Sequence, residues 1–154
     1  MPVGTVPTTP QEQRRAAMAL CAEAKPEELR AALDAVAYRG AVETLRPAET
    51  GLVMARARIG GDGSPFNLGE ATVTRAAVRI ASGEAGFAWH LGRDAARAEA
   101  AALLDALWQV PTLRPTVEAV LVPVAQRLEA EAAREARHTA ATRVEFFTMV
   151  RGEG

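Results

Sequence analysis

The chain is poor in cysteine and in lysine, has no long apolar run and carries no net basic charge, and most of these shortages remove a class of function. Cys21 is the only cysteine in 154 residues, so this sequence builds no internal disulfide framework and no cysteine-ligated zinc or iron–sulfur centre. No apolar run approaches the ~20 residues that span a bilayer. Residues 1–10 have neither a basic stretch nor an apolar one, so a secretory signal is not expected and the cytoplasm is the expected location. The formal net charge is −1, without the basic field that sequence-independent binding to nucleic acid or to an anionic membrane needs. Lys25 is the only lysine, so the other 17 of the 18 basic residues are arginine. Arginine's planar fork suits bidentate contact with carboxylate and phosphate. The abundance of alanine, however, points to a compositional origin for that bias.

What remains is a globular composition, 49% apolar and 24% charged, of a size for one core. Residues 1–8 read as a flexible tail and 9–152 as one domain. Thr9 and Glu12 have capping-box spacing around Pro10, which predicts a helix over 10–23. A second helix opens at Pro26, carries Leu29, Leu33 and Val36 on one stripe, and ends near Gly40. Two strands, 42–45 and 52–59, are expected with Pro47 and Gly51 marking a turn between them. A glycine-rich loop follows over 60–69, then a hairpin of 71–81 and 85–91 with Ser82 and Gly83 at its turn. Asp94 is placed to cap a helix to about Gln109, buried through Ala96, Ala100, Leu103 and Leu107. Pro115 starts another, with Val117, Leu121, Val124 and Leu128 on one stripe and a kink or break expected near Pro123. The segment 142–150 reads as a strand. The order predicts an α+β fold: an antiparallel central sheet, an N-terminal helical hairpin and two further helices packed against it, and a C-terminal strand returning to the sheet.

The chemistry-bearing residues concentrate around the glycine loop. Gly60, Gly61 and Gly63 lie between strands with no following GK[ST], so the loop is neither a Walker A loop nor a dinucleotide fingerprint. Its backbone N–H groups suit a phosphate nest, and equally a plain β-connection. In 51–59, Val53, Ala55, Ala57 and Ile59 form an apolar face, with Arg56 and Arg58 on the other. In the next strand Glu70, Thr72 and Thr74 share one face and Arg75 and Arg79 the opposite one. Near the C-terminus Arg143 and Glu145 share a face and Arg151 follows. Such an Arg–Glu–Thr surface fits a polyphosphate or phosphonate site and equally the solvated side of a half-buried sheet. His90 and His138 have no metal-ligand spacing and read as surface or structural residues. Asp105, Glu129, Glu131 and Glu135 read as solvated helix faces. No catalytic constellation and no metal site emerges.

The strings RPAETGLVMARARIGGDGSPFNLGEATVTRAAVR, GRDAARAEAAALLDALWQ and RVEFFTMVRG resemble the PhnG subunits of the bacterial carbon–phosphorus lyase system. The resemblance covers about residues 43–152. Within it, the segments at 49–63, 74–79, 92–94 and 146–152 are specific in combination.

This resemblance implies a multi-subunit enzyme of phosphonate utilisation, with PhnH-, PhnI-, PhnJ- and PhnL-like partners. The reaction implied is displacement of adenine from ATP by an alkylphosphonate, giving alpha-D-ribose 1-methylphosphonate 5-triphosphate. ATP is then a co-substrate of the complex, with magnesium expected on the triphosphate and no cofactor held by this chain. The substrate- or phosphate-binding candidates are Arg58, Gly60, Gly61, Gly63, Glu70, Thr74, Arg75, Arg143, Glu145 and Arg151, and no catalytic residue is assigned. The isolated chain is expected to be inactive and to self-associate. The alternative is a non-catalytic assembly subunit whose Arg/Glu faces are protein–protein interfaces.

Overall fold

The computed structural model describes residues 9–59 and 63–141. Helix α1, Pro10–Glu23, begins with the expected reciprocal cap: Glu12 N–H donates to Thr9 Oγ1 at 3.2 Å and Thr9 N–H to Glu12 Oε2 at 3.0 Å. Helix α2, Pro26–Val36, stops short of Gly40 because Ala37 turns into the left-handed region at φ 51° and its N–H donates to Leu33 O. Three strands follow, β1 Val42–Ala57, β2 Phe66–Ile80 and β3 Ala85–Leu91, forming one antiparallel sheet in that order. Helices α3, Ala95–Gln109, and α4, Arg114–Ala141, complete the α+β fold.

Several boundaries differ from expectation. The two short strands before the glycine loop are one strand of 16 residues. Pro47 and Gly51 do not end it, since β1 lies at the sheet edge, where proline's missing N–H breaks no ladder. Register shifts on either side of Arg46 absorb the irregularity. Strand β2 begins at Phe66, so the connecting loop is shorter than the glycine pattern suggests. Helix α4 runs unbroken through Pro123. The expected strand 142–150 lies outside the described residues.

Among the described residues only one face of the sheet is covered. Thr74, Ala76, Val78 and Ile80 of β2, with Gly86, Ala88 and His90 of β3, point into the core against α3. The approach is close: a Cβ on Gly86 would lie 1.9 Å from Ala102 O. Helix α4 packs on α1, α2 and α3 rather than on the sheet. Sandwiched in this way, α3 buries Ala98, Ala101, Leu104 and Trp108 beyond its expected stripe, while Ala96 is exposed. Asp105 corrects the sequence reading most sharply. It is buried, accepts Arg14 Nε and Nη2 at 2.8 and 2.7 Å, and also accepts Phe87 N–H at 2.9 Å. Gln109 Nε2 donates to Ala85 O at 2.7 Å, so α3 side chains occupy the outward backbone groups at the start of β3.

Strand β3 pairs only with Val73–Arg79. Beyond it, β1 and β2 continue as a two-stranded arm about 20 Å long, from Leu52–Ala57 and Phe66–Thr72. Leu52, Met54 and Leu68 are exposed on it. The apolar face foreseen at Val53, Ala55, Ala57 and Ile59 does not meet the core: Val53 and Ala55 pair opposite Ala71 and Gly69, on the side of the sheet away from the helices.

Candidate functional site

The uncovered face of the sheet carries the charged and aromatic residues together. Pairing places Glu43 opposite Arg79, Arg46 opposite Ala77, Glu49 opposite Arg75 and Gly51 opposite Val73. Arg75 is in turn opposite Trp89, Ala77 opposite Phe87 and Val73 opposite Leu91. Since alternate residues share a face, charges from β1 and β2 lie beside the aromatic row of β3.

Glu49 is the hub of the charged row. Arg46 Nη1 reaches its Oε1 at 2.6 Å, and Arg75 donates to the same oxygen through Nε at 2.7 Å, with Nη2 2.6 Å from it. The two guanidiniums, Arg46 first, hold the carboxyl below its ordinary range. Arg75 also lies over the Trp89 ring, 5.3 Å from its centroid. Arg79 Nη1 pairs with Glu43 Oε2 at 3.2 Å. The face thus holds three arginines against two glutamates, an excess of one positive charge. A recess of about 280 Å³ opens among Glu49, Gly51, Val53, Val73, Arg75 and Trp89.

The sequence-derived candidates do not converge on it. Arg75 is there. Thr74 points the other way, fully buried, its hydroxyl donating to Gly92 O at 2.7 Å and meeting Thr50 Oγ1 and Asp94 N–H. Glu70 pairs opposite Met54 on the reverse side of the arm. Arg58 lies nine residues beyond Glu49, about 30 Å along the ribbon, where Nη1 donates to Gly63 O at 3.3 Å. Gly63 N–H donates to Ile59 O at 3.2 Å, and a Cβ there would lie 2.5 Å from that oxygen. The tight turn therefore requires glycine at 63. Gly60, Gly61, Arg143, Glu145 and Arg151 lie outside the described residues.

Trp89, Glu49, Arg46 and Gly51 are members of the site that spacing did not select. Phe87, Trp89 and Leu91 alternate along β3 and so share one face. What places them beside Arg75 is the pairing register of β2 and β3, which no local pattern encodes.

The helical side has one polar oddity. His90 is 3% exposed, and neither ring nitrogen has a hydrogen-bond partner among the described residues. Burial, then the nearby Arg97 guanidinium, lowers its pKa. Burial also pushes Cys21 up to about 12, which keeps it a thiol. Among the described residues no three or more His, Cys, Asp or Glu side chains group as a metal site, and no helix is long and apolar enough to cross a membrane.

The family model described as "Phosphonate metabolism protein PhnG" matches residues 12–152. The chain belongs to the PhnG family. A Rhizobium meliloti (strain 1021) protein named "Alpha-D-ribose 1-methylphosphonate 5-triphosphate synthase subunit PhnG" is 56% identical over 141 residues, 92% of this chain and 90% of that protein. The PhnG match runs from within α1 through α4 and includes the arm.

Proposed function

We propose that this chain is a subunit of an alpha-D-ribose 1-methylphosphonate 5-triphosphate synthase, and so takes part in ribosylation of an alkylphosphonate. The observation that carries this is the 56% identity over 92% of the chain to the Rhizobium meliloti subunit of that name. In the reaction a phosphonate oxygen forms a bond to the anomeric carbon of ATP's ribose and the bond to adenine breaks. Adenine leaves with a proton on nitrogen, and the sugar carries positive charge at the transition state. The substrate is ATP, with magnesium on its triphosphate. PhnH-, PhnI- and PhnL-like subunits complete the transferase, with a PhnJ-like subunit in the wider assembly and a cytoplasmic setting. Arg58, Arg75, Arg143 and Arg151, with Glu70, Glu145 and the loop Gly60, Gly61 and Gly63, are this chain's proposed contacts to the anionic substrate or to its neighbours.

A second reading, assembly without substrate contact, has a specific support. Arg75 is already paired with Glu49, and Arg58 stands about 30 Å away along the ribbon, so the described arginines do not enclose one triphosphate. Adenine release from ATP plus methylphosphonate separates the readings. The expected result is no release by this chain alone, release when the partner subunits are added, and loss of release in assembled Arg75→Ala and Arg143→Ala complexes. Normal turnover by those assembled variants assigns the chain to assembly. Turnover by the partners without this chain overturns both readings.

A further inference from the structure

A glycine in the middle of a strand weakens it and marks either a bend or a close approach by something else. Gly51 lies in a regular stretch of β1, paired opposite Val73, and a Cβ built on it meets no atom within 4 Å. Nothing within the described chain requires glycine there. Gly69, on the same face of the arm, is alike in this respect. The missing side chain at 51 opens the recess between the Arg75–Glu49 pair, Trp89 and Val53. Around it Trp89 is 53% and Leu91 75% exposed, and Phe87 is exposed beside them.

We infer that the uncovered sheet face is the docking surface for another protein chain of the synthase, which seats an apolar side chain in the Gly51 recess and sets acidic groups around it. This rests on the subunit reading above. Tryptophan and arginine flanking a central recess are the residue types that dominate binding energy at protein interfaces. Charge selects the partner: three arginines share two carboxylates, so an acidic surface is attracted, while a second copy of this chain would bring the same positive excess. Size agrees as well. The three strands present roughly 600 Å² in plan, the scale of the about 800 Å² per partner buried in a specific interface. A nucleotide is a poorer occupant, because Arg75 already neutralises Glu49 through Nε and Nη2 and lies over Trp89.

The test is co-expression with the other synthase subunits and affinity purification of the complex, comparing Gly51→Val, Trp89→Ala and Arg46→Glu with wild type. Open space at Gly51 lets valine fold without strain. The isolated Gly51→Val chain is expected to keep the wild-type melting temperature and yet to assemble at least tenfold less, with Trp89→Ala and Arg46→Glu reduced in the same sense. Wild-type assembly by all three variants overturns the inference and leaves the subunit reading intact. Failure of the wild-type chain to assemble at all overturns the subunit reading, and the inference falls with it. An isolated dimer that Gly51→Val dissolves assigns the face to a second copy, against the inference. Quenching of Trp89 fluorescence by ATP or adenine, lost in Gly51→Val, assigns it to a nucleotide and also overturns it.

Discussion

Arg14 and Asp105 form a two-point ion pair across 91 residues of sequence, joining α1 to α3 at 2.8 and 2.7 Å. The carboxylate is 2% exposed and the guanidinium 36%, so the pair is unequal. Arg14→Ala leaves a buried charge that keeps only the Phe87 N–H among these donors, and should cost about 3–4 kcal/mol. Asp105→Asn retains part of the hydrogen bonding and leaves an arginine that can reach water, so its cost should be smaller. Urea unfolding of the two variants checks the order.

Gly86 and Gly69 should respond oppositely to alanine. At Gly86 the added carbon meets Ala102 O at 1.9 Å and Ala106 N at 2.5 Å, both helix backbone. Strand and helix must separate, and Gly86→Ala should be recovered as insoluble or molten protein. Gly69→Ala meets nothing and should leave the melting temperature within a few degrees of wild type or above it. Circular dichroism melts of the two variants read the contrast.

His90 predicts an acid-sensitive fold. Its folded pKa is lowered by burial and by Arg97, against smaller raising effects of the Ala22 carbonyl, Asp94 and Glu23. The unfolded chain therefore takes up a proton near pH 6.5 that the folded chain refuses. Stability is undiminished above that pH and falls as pH drops below it, by up to about 1.4 kcal/mol per unit until the folded group also titrates. His90→Leu should flatten the stability curve between pH 6.5 and 5, measured by urea midpoints.

Thr74→Val keeps the shape and removes the hydroxyl that meets Gly92 O, Asp94 N–H and Thr50. Loss of these buried contacts should cost about 2 kcal/mol. The variant assembled with partner subunits should retain adenine release at permissive temperature, because the hydroxyl faces the helices. A stable but inactive Thr74→Val complex would instead assign the residue to substrate.

Pro123 sits in an unbroken helix with no N–H to offer the preceding turn. Pro123→Ala should raise stability by about 2 kcal/mol, visible as a higher melting temperature. An unchanged value would mean that the helix bends there in solution.

Where physics is local, the sequence was readable. The capping box at Thr9 and Glu12, the Asp94 cap and the turn at Gly83 carry their own signals within a few residues. Asp105 was misread because its neighbours on α3 are compatible with a solvated face, and its partner Arg14 is 91 residues away. The long β1 was missed because Pro47 is a breaker everywhere except at an edge, and edge position follows from global strand order. The candidate site was legible only in part for the same reason. Arg75 could be named from its own strand, whereas Trp89 and Glu49 join it through two registers. Thr74 shows the reverse: a residue next to the site in sequence lies on the other side of the sheet.

The side chains of Asp105 and Gln109 on the outward groups of β3 have a consequence for how copies of this molecule can stack. Growth of a ribbon of sheets needs two open margins on every unit, one to receive and one to offer. Here one margin is occupied by α3 where β3 begins, and the other is interrupted at Pro47 before the arm. A neighbouring copy therefore cannot pair along the full length of β3 or of β1. The exposed aromatic row of β3 thus lies next to a margin that is partly closed to strand addition.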